Sequence, residues 1–132
     1  MNAAIMSDGT DAHRTPAPDP AGPSLHHPVQ PDPDRLAAAS STFGMLADPT
    51  RLHLLWLLTT GEFDVTALTE AVGASRTAVS QHLAKLRFTG LVETRRDGRR
   101  VIYRIRDGHM TRLIGEAINL ADHKITGEPA HE

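Results

Sequence analysis

The stretch from Arg76 to Arg106, RTAVSQHLAKLRFTGLVETRRDGRRVIYRIR, changes its period halfway along. In its first half Val79, Leu83 and Leu86 recur at helical spacing. They share one face and leave Arg76, Thr77, Ser80, Gln81 and Lys85 to solvent. Ser75 stands where an N-cap belongs, and Gly90 ends the run. In the second half the period is two. Val101, Tyr103 and Ile105 face one way, Ile102 and Arg104 the other. Asp97-Gly98 lies between Leu91–Arg95 and Arg99–Ile105, which predicts a two-residue hairpin turn. A polar-faced helix therefore runs directly into a basic β-hairpin.

Charge indicates what this unit touches. The stretch carries nine Arg and Lys against two acids, a surplus of seven, while the chain as a whole is at −2. Positive charge concentrated on one helix and one hairpin is the footprint of a polyanion-binding surface. A solvated basic surface is the bland alternative, but charge, helix and turn coincide in one stretch.

The preceding segments fit the same plan. Leu36, Ala39, Phe43 and Leu46 restart helical order at Asp34. Asp48-Pro49 opens a Leu-rich helix to Thr59, apolar nearly all round, which is expected to be the buried hub with Trp56 in the core. His53 is expected to be structural. Asp64 to Val72 forms a short helix, with Val65, Leu68 and Val72 inward, and Gly73 turns the chain into Ser75. That is helix-turn-helix spacing. A last helix from Asp107 to Ile125 carries an apolar stripe of Met110, Leu113, Ile114, Ala117, Ile118 and Ala121. The expected fold is mainly α with a two-stranded β-hairpin wing (α+β), a winged helix-turn-helix that forms a homodimer through the first and last helices.

Residues 1–33 hold seven of the nine prolines and no apolar period, so they are expected to be a disordered tail, with His13, His26 and His27 idle. Residues 34–126 are expected to form the DNA-binding and dimerisation domain, and residues 127–132 a short flexible tail. The 132-residue chain lacks cysteine, which excludes disulfides and thiolate metal or redox sites. It shows no membrane-length apolar run and no signal-peptide pattern, so a soluble cytoplasmic protein is expected. No phosphate loop, nucleophile elbow or HExxH motif is present, so no enzyme is expected.

The strings Ser80-x-His82-Leu83-x-x-Leu86-x-x-x-Gly90-Leu91-Val92 and Arg96-x-Gly98-Arg99-x-Val101-x-Tyr103 resemble the winged helix-turn-helix of ArsR/SmtB-type metal-responsive repressors. The resemblance extends from about Leu36 to about His123. It implies a homodimer on double-stranded operator DNA, an imperfect inverted repeat. Thr77, Ser80 and Gln81 would read bases in the major groove, with Arg76 and Lys85 nearer phosphates. The hairpin tip with Arg95, Arg96, Arg99 and Arg100 would lie on the backbone or in the minor groove.

The last helix carries a candidate metal site. Asp107 and His109 stand at its start, Asp122 and His123 near its end. Fourteen residues separate the two histidines, about 21 Å along a helix, so one chain cannot join them on one ion. Two such helices packed antiparallel would bring the start of one to the end of the other, forming two equivalent sites. Family members with a site on this helix match Asp107-Gly108-His109 at its start. At its end they carry a His-x-x-His or His-x-x-Glu, whose first position falls here on Leu120, which cannot ligate. Among the nickel/cobalt sensors of the KmtR and NmtR type, which look closer in pattern, the KmtR type shows a His at the start and an acidic-His pair at the end, matched by His109 and by Asp122-His123. KmtR-type sensors also take tail histidines, for which His131 is available. The nitrogen and oxygen donors suit Ni or Co, with Zn as runner-up. Metal release of the operator, derepressing efflux, is what the resemblance implies. Without any metal, Asp107 is also a good helix cap and His123 favours the helix dipole. A winged-helix regulator with a non-metal effector or none, and a winged-helix protein-interaction subunit, are the other readings.

Overall fold

The computed structural model describes residues 29–127. The histidines at 13, 26, 27 and 131, and the two expected tails apart from residues 29–33 and 127, lie outside that span. Helix α1 (Pro33–Leu46) begins with a proline after Asp32, whose Oδ1 accepts from Arg35 N at 2.8 Å. The remaining elements are α2 (Pro49–Thr59), β1 (Phe63–Asp64), α3 (Val65–Val72), α4 (Arg76–Phe88), β2 (Val92–Asp97), β3 (Arg100–Ile105) and α5 (Gly108–Thr126).

Local chemistry sets each start. Asp48 caps α2 by accepting from Thr50 N and Arg51 N, Asp64 caps α3 through Ala67 N, Ser75 caps α4 through Ala78 N, and Asp107 caps α5 through His109 N. Glycines in the left-handed conformation, Gly73 and Gly127, end α3 and α5. The caps also make the fold acid-sensitive. Asp48, Asp64 and Asp107 are each held below the ordinary carboxylate range, first by the capping N–H of Arg51, Ala67 and His109 respectively. Their native pKa values are depressed, so their stabilisation is complete above the ordinary carboxylate range and lost as pH falls through it toward the native values. Circular dichroism against pH should accordingly show a plateau at neutral pH and helix loss only in the acid limb. A transition centred near neutrality would contradict this account.

The core gathers one face of every helix from α2 onward. Leu54, Leu55, Leu68, Val79, Leu83, Leu86, Val92 and Ile114 are almost wholly buried, with Leu46, Leu58 and Met110 at the margin of the same cluster. The hub helix α2 departs from expectation. Only Leu54, Leu55 and Leu58 are buried, whereas Trp56 is 41% exposed and His53 lies at the surface. A domain of this size covers one side of an 11-residue helix, and the Trp56 side is left uncovered.

The expected two-stranded wing is present as β2 and β3, and the sheet it belongs to has one strand more. The sheet has three antiparallel strands in the order β1-β3-β2, because Phe63 pairs with Tyr103 and Asp64 with Ile102. The hairpin pairs Val92 with Ile105 through to Asp97 with Arg100, so Gly98 and Arg99 are the turn residues rather than Asp97 and Gly98. Gly98 has φ +65°, and among the described residues only glycines have positive φ. Positive φ at the first central position alone is the type II′ pattern, which asks for glycine at that place.

Helix α5 leaves the core midway. Met110 and Ile114 are buried, but Ile118, Leu120 and Ile125 are 37%, 62% and 84% exposed. Leu36 and Phe43 of α1 are 55% and 57% exposed. Among the described residues no helix is long and apolar enough to cross a membrane.

Candidate nucleic-acid interface and metal half-sites

Helix α4 sits on Val79, Leu83 and Leu86, so the opposite face is presented outward. Thr77, Ser80, Gln81 and Lys85 are exposed, and their side chains make no hydrogen bond or ion pair within the described residues. That leaves two hydroxyls, an amide and an ammonium for groups outside the protein. Arg76 is partly engaged, with Nη1 donating to Thr66 Oγ1 of α3 at 2.9 Å. This contact ties the first helix of the motif to the second.

A residue that sequence reasoning passed over is His82. Its Nδ1 lies 3.5 Å from Arg51 Nη1, and its Nε2 lies 4.0 Å from Asp48 Oδ1. Arg51 Nε in turn donates to Met45 O at 2.9 Å. The half-buried imidazole thus braces α4 against the α1–α2 corner. The signal was a polar residue on α4 next to the buried Leu83, paired with a partner 31 positions away.

The wing divides its arginines into two groups. Arg95 Nε donates to Glu62 Oε1 and Arg100 Nε to Asp64 Oδ2, both at 2.9 Å. Arg104 Nε donates to Glu93 Oε2 at 2.6 Å. Arg96 and Arg99 are exposed and have no such partner among the described residues. Of the four wing arginines expected to meet DNA, two are therefore free and two are tied to acids. Ile102 explains the layout. It is 4% exposed although it lies on the face opposite Tyr103 and Ile105, which pack on the core. In register, Asp64 and Arg95 flank it, and Arg100 and Arg104 stand two residues away on its own strand. The arginines that share this face with Ile102 by register are those held by Glu62, Asp64 and Glu93, and long arginine stems are suited to cover an apolar neighbour.

The two ends of α5 hold the expected metal donors separately. At the start, Asp107 Oδ1 accepts from His109 N and contacts His109 Nδ1, each at 2.8 Å. The backbone N–H and then the imidazole of His109 hold this carboxyl below its usual range. A carboxylate on Nδ1 fixes the ring and leaves Nε2 for a ligand, the arrangement common around metal-bound histidine. The contact holds the His109 ring in place, whereas Asp107 is expected from sequence as a direct ligand. At the other end, His123 Nδ1 is buried without a hydrogen-bond partner among the described residues. Asp122 is beside it and exposed. The donor types fit a borderline divalent ion. Among the described residues of one chain, no three His, Cys, Asp or Glu converge on a common point.

Known proteins share much of this sequence and this fold. Residues 48–94, from the α2 cap to β2, match the model of the bacterial regulatory protein family arsR. The chain is 44% identical over 104 residues to the transcriptional regulator KmtR of Mycobacterium tuberculosis, covering 76% of this chain and 80% of that one. It is 41% identical over 92 residues to the regulator NmtR of the same organism, covering 70% and 77%. Among solved structures, a homodimeric winged helix-turn-helix DNA-binding domain from Mycobacterium bovis superposes with a TM-score of 0.66 at 34% identity, over 78% of this chain and 97% of that one. KmtR and NmtR are transcriptional regulators rather than enzymes, and the solved domain is a winged helix-turn-helix, the fold described above. The chain belongs to the ArsR/SmtB family of winged helix-turn-helix DNA-binding transcriptional regulators.

Proposed function

We propose that this regulator is a homodimeric, metal-responsive repressor that leaves its operator when Ni or Co, with Zn as runner-up, binds between protomers. The observation that carries the reading is the pairing of donors at opposite ends of α5. His109 is oriented by Asp107 through a 2.8 Å contact, and His123 has a buried ring nitrogen without a partner among the described residues. Between them runs apolar surface, Ile118 among it, that one protomer leaves uncovered. Burying that surface together with Leu36 and Phe43 against a second copy supplies a hydrophobic reason to dimerise. Antiparallel α5 helices then set Asp107 and His109 of one protomer beside the other end of the same helix in its partner, where Asp122 and His123 lie, with His131 available as a further donor. The resemblance to nickel/cobalt sensors supports that ion class, and an exporter as the regulated gene.

DNA recognition in this reading falls to Thr77, Ser80 and Gln81 on bases, with Arg76, Lys85, Arg96 and Arg99 on phosphates. A two-fold dimer calls for an imperfect inverted repeat. Gln81 has the long amide suited to bidentate contact with adenine. Gln81→Ala should cost about 1–3 kcal/mol on a duplex selected by the protein from a random pool, and relax choice at one base position. Equal loss on selected and scrambled duplexes would remove Gln81 from base reading. The proposal as a whole is tested by titrating Ni, Co and Zn separately into the dimer on the selected duplex. Release by one of them is expected, and release by none would leave a regulator with a different effector.

A further inference from the structure

The acidic residues bound to the wing arginines do more than decorate the sheet. Six arginines lie between Arg95 and Arg106, and four acids, Glu62, Asp64, Glu93 and Asp97, lie in or beside the same sheet. Glu62 precedes β1 and reaches two of the arginines, Arg95 at 2.9 Å and Arg104 at 3.8 Å. Glu93 holds Arg104 and lies 3.8 Å from Arg106, and Asp64 holds Arg100. The side chains of Arg95, Arg100 and Arg104 remain 50%, 59% and 48% exposed. Pairs that open to solvent add little to folding stability. They bear directly on DNA binding, because an arginine must leave its carboxylate before it can neutralise a phosphate.

We infer that Glu62 is an affinity-limiting residue, which competes with DNA phosphate for Arg95 and Arg104 and holds down the sequence-independent part of binding. Arg96 and Arg99, which have no carboxylate partner among the described residues, are then the wing's working phosphate contacts. The inference rests on the reading of the wing as a backbone contact. It adds that this contact is held incomplete by the protein's own acids. Phosphate contacts carry no sequence information, so each one withheld lowers affinity for every duplex alike. A regulator that must let go of its operator benefits from a smaller sequence-independent term.

The test uses the full chain and two duplexes, one of mixed sequence and one selected from a random pool. Glu62→Gln keeps size and hydrogen bonding but removes the charge. It should tighten binding to both duplexes by the same factor, about five- to tenfold at about 0.1 M salt for each additional phosphate neutralised. The plot of log affinity against log salt should steepen by up to about 0.9 for each such phosphate. Adding Arg95→Ala to Glu62→Gln should remove the part of the improvement that Arg95 supplies, leaving at most a smaller part from Arg104, which Glu93 still holds. Unchanged or weaker binding by Glu62→Gln, with a wild-type melting profile, overturns the inference, since a merely structural Glu62 predicts weaker binding and not tighter. Arg96→Ala with Arg99→Ala tells a failure of this inference from a failure of the wing reading beneath it. A shallower salt slope in that variant upholds the wing as a backbone contact even where Glu62→Gln fails. An unchanged slope removes the wing, and this inference with it.

Discussion

Leu83→Ala is expected to lower the unfolding free energy by about 2–5 kcal/mol, the range for a fully enclosed leucine. Leu83 is at 0% exposure, in one cluster with Leu54, Leu55, Leu68, Val79 and Leu86. Alanine there removes apolar contact and leaves a cavity that α2, α3 and α4 can only partly close. DNA binding should fall with stability, because Thr77, Ser80 and Gln81 are aimed by the same helix whose underside Leu83 fills. Phe88→Ala is the contrasting variant. Phe88 is the last residue of α4 and is 93% exposed, so its removal should shift stability by no more than a few tenths of a kcal/mol. Urea melts at one fixed protomer concentration check both, since a dimer's apparent stability depends on concentration. A Leu83→Ala midpoint close to wild type would mean that the recognition helix is not seated as described.

The same contrast shows what the sequence made legible. Val79, Leu83 and Leu86 are buried because a strict helical period leaves few other arrangements, and Asp48, Asp64, Ser75 and Asp107 cap their helices because a cap is read from its own neighbours. Interactions within a few residues are encoded locally. The strand Phe63–Asp64 was not legible, because two residues cannot display an alternating pattern and their identity as a strand comes wholly from β3. Trp56 misled for a related reason. Residue type favours burial, but which side of an apolar helix is covered depends on what the rest of a small domain can reach.

The wing shows the same limit on the functional side. Its surplus of positive charge was evident within Arg76–Arg106, yet the carboxylates of Glu62 and Asp64 that bind Arg95 and Arg100 stand 33 and 36 positions away in sequence. Local charge counting therefore overstated how many arginines are free for DNA. The residues proposed as metal donors are read from sequence as residue types at two ends of one helix. The 2.8 Å contact between Asp107 and His109 is not, because it depends on the rotamer that the cap imposes.

That contact leads to the largest functional effect expected of this protein, in the His109→Ala and His123→Ala variants. Each should lose release of the selected duplex by Ni, Co and Zn while still binding the duplex without metal. Within one chain the two histidines are too far apart to share an ion, so each variant damages both sites of a dimer by removing one donor from each. In the proposed dimer, a metal that bridges antiparallel α5 helices would fix their angle, and with it the separation of the two α4 helices. Successive major grooves on one face of DNA require that separation to be about 34 Å. A metal that favours another spacing must lower DNA affinity, and DNA must lower metal affinity by the same factor, on the order of 1–3 kcal/mol of coupling. Titrating metal into free dimer and into dimer on the selected duplex measures both sides of that cycle. His109→Ala should also free Asp107 from its imidazole while keeping the cap to the backbone N–H of residue 109, so α5 should remain folded by circular dichroism. If either variant releases DNA at the metal concentration that serves the wild type, the ends of α5 are not the sensor. If release is lost but free-dimer metal affinity is unchanged, the histidines transmit the signal without holding the ion.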